Sequence, residues 1–321
     1  MPLRFTLRQL EYLVAVGECG SIALASDKVN VSSPSISAAI SQLEQEFGLP
    51  LFVRKHAHGL SLTQGGKQFV EQAKVVLAQA ARLNDLANTI TGKVRGPLNV
   101  GCLLTFAQVV LPHLRRGFVD LNPEVDFHQF ERNQSEIFDG LRHASLDLAL
   151  SYDLNIPPDL DFVPLATLPP YAVLPETHDL AHRATLSPAD LAEHPMILLD
   201  LPLSSEYFLS LFSELGVKPR IAERTRDMAV MQSLVGQGFG YSIANIRPWS
   251  DRSPDGQRLR YVPLSAASPG ALRPMRLGLV LSEGARASQT VRAFVEHCRA
   301  ELTPDSGHGL KLRFDGVPRE G

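Results

Sequence analysis

The chain has 321 residues, 20% of them charged, and a formal net charge of −3. That length accommodates two or three domains, each with its own core. No run of about 18 apolar residues occurs, and Met1-Pro2-Leu3-Arg4-Phe5-Thr6 enters an amphipathic pattern without the apolar stretch of a secretory signal. A cytoplasmic location with no membrane partner is expected. Cys19, Cys102 and Cys298 are far apart and odd in number, which excludes a disulfide framework and a Cys-x-x-Cys metal pair. No metal and no cofactor are expected.

Charge is unevenly spread. Residues 1–66 hold five basic and five acidic side chains, and the stretch to residue 95 adds five basic against two acidic ones. The first third is therefore mildly basic and the rest acidic, a weak pointer to an anionic partner at the N-terminal end. There, Leu7, Leu10, Val14 and Gly17 recur at three- and four-residue spacing, which predicts a first helix over Thr6 to Gly17 with Thr6 as N-cap. Ser21 caps a second helix over Ile22–Val29, closed by Asn30, a residue that tolerates the left-handed conformation. A third helix starts at Ser32 or Ser33, with Pro34 in its first turn.

On this third helix Ile36, Ile40, Leu43 and Phe47 share one narrow arc, while Pro34, Ala38, Ser41, Gln42 and Gln45 occupy the opposite one. Small residues and short hydroxyls at the start of a helix permit close approach to a major groove. They place Ser32, Ser33, Pro34, Ser35, Ser37, Ala38, Ser41 and Gln42 as candidate DNA contacts. Residues 49–63 then resemble a small hairpin with a basic tip, a wing from which Arg54, Lys55 and His56 could meet phosphates or the minor groove. His56-x-His58 lacks a third ligand nearby and is not read as a metal pair.

At this point the chain resembles the LysR-type transcriptional regulators. The matching residues are Leu7-Arg8-Gln9-Leu10-Glu11-Tyr12-Leu13-Val14-Ala15-Val16, then Val31-Ser32-Ser33-Pro34-Ser35-Ile36-Ser37. Gln42-Leu43-Glu44, Phe47-Gly48-Leu49-Pro50-Leu51-Phe52-Val53-Arg54 and Leu62-Thr63-Gln64-Gly65-Gly66 complete the series. The chain departs from the family pattern at Ser33, where Gln is frequent, at Ala38, where Arg is usual, and at Leu24, where a basic residue is common. Each departure removes a long donor, so an unusual operator half-site is expected, with Ala38 left to touch a thymine methyl.

From Phe69 the apolar series Phe69, Ala73, Val76, Ala80, Leu83, Ala87, Ile90 advances in steps of four and three, a heptad seam that needs a partner helix. The resemblance implies antiparallel pairing of two such helices, hence a dimer or tetramer that sets two DNA heads on a two-fold operator.

After a hinge at residues 91–97 the chain alternates strands and helices. A strand is predicted at Leu98–Cys102, a helix at Ala107–Asp120, a strand at Val125–Phe130, a helix at Ser135–His143 and a strand at Leu146–Ser151. A second set covers Tyr171–Leu174, Met196–Leu199, Ser205–Leu215, Ile221–Arg224, Met228–Gly236 and Tyr241–Ala244. This alternation predicts an α/β class with parallel sheets in two lobes. The resemblance implies a type 2 periplasmic-binding-protein-like effector domain, joined by crossover strands near Asp161–Ala166 and Leu264. The expected domains are a winged helix-turn-helix at 1–65, a linker helix at 66–91 and an effector domain at 92–302. Lobe I takes 92–162 and 268–302, lobe II takes 163–267, and 303–321 forms a loose tail.

In such folds ligands bind at the carboxyl ends of strands, which selects Thr105, Phe106, Gln134, Ser204, Ser205 and Asn245, with Thr105, Ser204 and Ser205 also expected as helix caps. The inducer is expected to be a small anionic metabolite such as a carboxylate. Catalytic readings fail: Gly236-Gln237-Gly238-Phe239-Gly240 follows a helix and precedes a strand, the reverse of a dinucleotide loop, and His178-x-x-x-His182 lacks the Glu of a zinc protease. The chain is read as a non-enzymatic transcription regulator that binds promoter DNA, an inducer, itself and RNA polymerase. A cytoplasmic solute-binding receptor with an N-terminal oligomerisation module is the alternative.

Overall fold

Thr6 opens α1 (Leu7–Cys19) with a reciprocal capping box, its hydroxyl accepting from the Gln9 N–H and its own N–H donating to Gln9 Oε1 at 2.8 Å. The computed structural model that shows this describes residues 4–55, 59–248, 250–265 and 272–302. α1 runs two residues beyond the Gly17 expected to end it and stops at Gly20, which is left-handed at φ 62°. Gly17 is instead a packing glycine: a Cβ there would sit 3.0 Å from a Val70 methyl, so its absence lets a later helix press against α1. α2 (Ile22–Val29) is capped by Ser21 and closed by left-handed Asn30, and α3 (Ser33–Phe47) starts from Ser32 with Pro34 in its first turn.

β1 (Phe52–Lys55) and β2 (Gly59–Leu62) pair antiparallel as the expected wing, and α4 (Gln64–Thr91) follows. α4 begins two residues earlier than predicted. Leu13, Val16, Ala25, Ile36, Leu43, Leu51 and Val70 form one buried cluster, so α1–α3, the wing and the first turns of α4 share a core. The chain divides into two compact units, the first being residues 1–92 with 142–145 and the second the rest from Lys93 onward.

The second unit carries β3 (Gly96–Cys102), α5 (Leu104–Val109), α6 (Leu111–Leu121), β4 (Val125–Glu131), α7 (Gln134–Arg142), β5 (Leu148–Tyr152) and β6 (Leu160–Leu168). It continues with β7 (Tyr171–Pro175), α8 (Pro188–Leu191), β8 (Pro195–Leu199), α9 (Ser204–Ser213), β9 (Arg220–Thr225) and α10 (Met228–Gly236). β10 (Ser242–Ala244), β11 (Leu259–Pro263), β12 (Met275–Ser282) and α11 (Gln289–Leu302) complete it. The single helix expected over 107–120 is two, because Pro112 supplies no N–H and its ring crowds the preceding turn.

Lobe I is a five-stranded sheet of order β4-β3-β5-β12-β6, and lobe II pairs β8 with β9 and sets β7 between β10 and β11. The expected parallel sheets are each broken by one strand. β12 runs antiparallel to β5 and β6, and β7 antiparallel to β10 and β11. Both are entered from the other lobe, β7 straight from β6. A helical crossover returns the chain to the sheet's starting edge, whereas these strands enter at the end where the parallel strands finish and must run back. The predicted lobe boundary at 162/163 falls inside β6, which pairs with β12 from Leu160 to Leu168, so the crossing comes at Pro169-Pro170. The boundary at 267/268 and the tail at 303–321 lie outside the described residues.

Candidate functional site

α3 turns Ile36, Ala39, Ile40 and Leu43 into the head's core and leaves Pro34, Ser35, Ser37, Ala38, Ser41 and Gln42 exposed, with Ser33 half-buried. The exposed face therefore collects seven of the eight predicted helix contacts at or near the surface. Ser32 has a different duty: its hydroxyl caps the helix and lies 2.8 Å from that of Ser35. Gln42 is held by a partner that sequence reading missed, since Gln9 Nε2 donates to Gln42 Oε1 at 2.8 Å. The amide N–H groups of Gln42 and the second lone pair of its Oε1 remain to be offered outward.

Glu44, whose role was also missed, accepts from the backbone N–H groups of Leu51 at 2.7 Å and Phe52 at 3.2 Å, and so fastens the end of α3 to the start of the wing. Its signal was an acidic residue eight positions before a strand, too generic to single out. Arg54 and Lys55 occupy β1 opposite Leu60 and Gly59. Their side chains, and His56, lie outside the described residues. Glu18 at the end of α1 accepts from Lys28 at 2.8 Å and lies 3.5 Å from Lys74 of α4. Partial burial opposes ionisation of Glu18, but the two lysines outweigh it and hold its carboxyl below the usual range.

The α4 seam divides in two. Phe69 and Ala73 are spent on the head's own core, Phe69 packing 4.7 Å from the Phe47 ring. Farther along, Val76, Leu83 and Ile90 are 41%, 70% and 76% exposed, while Ala80 is half-buried. The side chain of Ala87 lies outside the described residues.

In the second unit a cleft between the lobes is lined by Thr105 and Tyr152 from lobe I and by Ser204, Phe208, Met228 and Asn245 from lobe II. Three of the six predicted ligand residues thus meet. Phe106 lies behind the wall, buried and 4.6 Å from the Tyr152 ring. Gln134 is buried with its Nε2 donating to the Leu154 carbonyl at 2.6 Å, and Ser205 is not among the lining residues. Tyr152 was missed although it ends β5 at its carboxyl end, the position that the strand-end rule selects.

Tyr152 closes the cleft. Its hydroxyl donates to Asn245 Oδ1 at 3.0 Å across the lobes, leaving about 10 Å³ of free space, room for one water. Burial raises the Tyr152 phenol above its ordinary value and outweighs the opposing pull of the Thr105 hydroxyl. Even so, Thr105 Oγ1 makes no well-formed hydrogen bond, and neither does Asn245 Nδ2. The expected caps are also corrected. Leu103 and Leu203 cap α5 and α9 without side-chain bonds, so the hydroxyls of Thr105 and Ser204 are not consumed by capping. Leu203 has φ 66° and ψ −37°, a tight turn in which the Ser204 N–H donates to the Pro202 carbonyl at 2.8 Å.

Thiol chemistry finds no support in the second unit. Burial, with Glu131 adding to it, pushes the Cys102 thiol up to about 12, and burial raises Cys298 likewise. Among the described residues no group of three His, Cys, Asp or Glu side chains is placed to hold a metal, and no helix is long and apolar enough to cross a membrane.

A head with an outward small-residue helix and a wing, followed by two lobes around a cleft, matches two family descriptions. The profile of the bacterial regulatory helix-turn-helix protein, lysR family, covers residues 7–67, and that of the LysR substrate binding domain covers residues 91–303. The chain belongs to the LysR family of transcriptional regulators. LysR-family relatives span nearly all of it. The transcriptional activator protein LysR of Escherichia coli is 27% identical over 297 residues, 92% of this chain and 93% of the relative. The crystal structure of HinK from Pseudomonas aeruginosa is 36% identical, with a TM-score of 0.61, covering 93% of this chain and 99% of that one. The structure of full-length CbnR with its target DNA is 25% identical with a TM-score of 0.66, covering 92% and 99%. Membership of the LysR family makes the chain a DNA-binding transcription regulator, and the alternative of a receptor whose N-terminal helices only oligomerise gives way.

Proposed function

We propose that this LysR-family regulator works in the cytoplasm as a dimer or tetramer on two-fold-related promoter sites, and that a small anionic metabolite, a carboxylate, entering the interlobe cleft changes its effect on RNA polymerase. One observation supports the ligand reading above the others. Thr105 and Asn245, from opposite lobes and only 6% and 4% exposed, bring a hydroxyl and an amide N–H group that make no well-formed hydrogen bond to the lining of one narrow space. Buried polar groups normally find partners, so a pair left open in a cleft is matched to something that arrives later. Binding acts on transcription by favouring one lobe arrangement over another.

On the DNA side, Ser33, Pro34, Ser35, Ser37, Ala38 and Ser41 are the base-facing set, with Gln42 contributing its amide N–H groups and Arg54, Lys55 and His56 reaching phosphates. The exposed part of the α4 seam, Val76, Leu83 and Ile90, with Ala80 and Ala87 between them, pairs the protomers. Gel shift on the DNA upstream of the protein's own gene, at fixed salt, tests the whole: a specific complex that Leu83→Glu converts to weak, non-cooperative binding is the expected result. Unchanged cooperative binding by Leu83→Glu removes the seam from the assembly.

A further inference from the structure

Resting on the reading of the cleft as an effector site, we infer that the effector is a monocarboxylic acid with an apolar body, and not a dicarboxylate, an amino acid, a sugar or a phosphate ester. Its charged end is defined by the two open donors. The Tyr152 hydroxyl donates to Asn245 Oδ1, which turns the amide so that Nδ2 is the atom left without a partner, and Thr105 Oγ1 faces the same space from the other lobe. An ionised carboxylate is acceptor-only and has two oxygens, one for each donor. Hydrogen bonds to a charged acceptor are roughly twice as strong as neutral ones, so two donors in a buried site hold a single negative charge without a cation.

The remaining wall sets the rest of the ligand. Leu199, Leu201, Phe208, Met228, Ala244 and Ile246 are apolar and Ser204 adds a single hydroxyl, which suits a hydrocarbon body and leaves most of a sugar's hydroxyls without partners. Among the lining residues there is no Asp or Glu, so the ammonium of an amino acid would be desolvated without a counter-charge. There is no Lys or Arg either, which leaves a second carboxylate or a phosphate dianion uncompensated. Arg247, two residues beyond Asn245, does not supply the charge: its guanidinium is ion-paired with Asp251 at 2.9 Å and lies over the Tyr261 ring at 5.1 Å. With so little free space the acid enters only as the lining side chains give way.

A six-carbon series separates the charge types at constant length. The full-length protein is melted with hexanoate, hexylamine, adipate and norleucine at equal millimolar concentrations, with benzoate as a ring-bodied second acid. The expected result is a rise in melting temperature with hexanoate or benzoate alone. Thr105→Val and Asn245→Asp should each raise the concentration for half-maximal shift about tenfold or more, while Thr105→Ser, which keeps the hydroxyl, stays near wild type. A larger rise with adipate or norleucine that Thr105→Val abolishes overturns the ligand class and leaves the cleft reading standing. A rise with hexanoate that survives both cleft variants, each checked for an unchanged ligand-free melt, overturns the cleft reading itself. No rise with either monocarboxylate overturns the class.

Discussion

The exposed face of α3 and the interlobe cleft are both polar, and they treat polarity in opposite ways. Ser35, Ser37, Ser41 and Gln42 stand in solvent, where water satisfies them until another surface replaces it, so they cost the fold little. Thr105 Oγ1 and Asn245 Nδ2 are buried with no well-formed hydrogen bond to the protein, and a buried polar group left so costs roughly 1–3 kcal/mol by general experience. A face that reads a large, hydrated partner can wait open. A pocket that discriminates small molecules gains by holding its unmet donors where only the right ligand reaches them.

The largest expected effect separates the two regions outright. Leu43 is fully buried in the head's core, and Leu43→Ala should cost about 2–5 kcal/mol, abolishing specific DNA binding in gel shifts while leaving ligand-induced thermal shifts of the second unit intact. Loss of both would show that the two regions fold as one. Next, Ala38→Arg restores a long donor to the exposed face, and a selection of binding sites should show about 1–3 kcal/mol of new preference at one base pair, with guanine favoured. No change in preference would place residue 38 away from the base edges.

Smaller effects probe each region from within. Tyr152→Phe removes the cross-lobe bond and should lower the melting temperature of the ligand-free protein by the equivalent of about 0.5–1.5 kcal/mol. Retention of the wild-type melt would mean that the lobes close without it. Smallest is the pH response of the head. The Glu18 carboxyl is lower in the folded chain than unfolded, so its contribution is present above the unfolded value and is lost as pH falls through the folded one. Acid titration of Glu18→Gln should show a flatter loss of stability on the acid side than wild type, and parallel curves would discount the Lys28 and Lys74 pairing.

Local chemistry was the legible part of this fold. Ser21, Asn30, Ser32 and Pro34 are read from their immediate neighbours, and α2 and α3 lie where those residues place them. Contacts between distant segments were not legible in the same way. Gly17 reads as a stop until Val70 is seen against it, and Gln42 reads as free until Gln9 is found bonded to it. The reversal of β7 and β12 depends on where the chain crosses between lobes, which no window of periodicity contains. At the cleft, the strand-end rule selected Thr105, Ser204 and Asn245 correctly as lining residues, but it admitted Phe106 and Gln134, which face the interior of lobe I, and passed over Tyr152.

The glycine at position 17 has a mechanical side. By letting Val70 seat against α1, it welds the first turns of α4 to the head, so the head and its helix turn as one piece. The 28 residues of α4 make an arm of roughly 42 Å at 1.5 Å per residue. A tilt of about ten degrees about the far end of such an arm carries the head sideways by roughly 7 Å, some two steps along a DNA duplex at 3.4 Å each. A bulkier residue at position 17 would put play into that joint, and a modest rotation elsewhere in the assembly would no longer arrive at the DNA as a whole-step displacement.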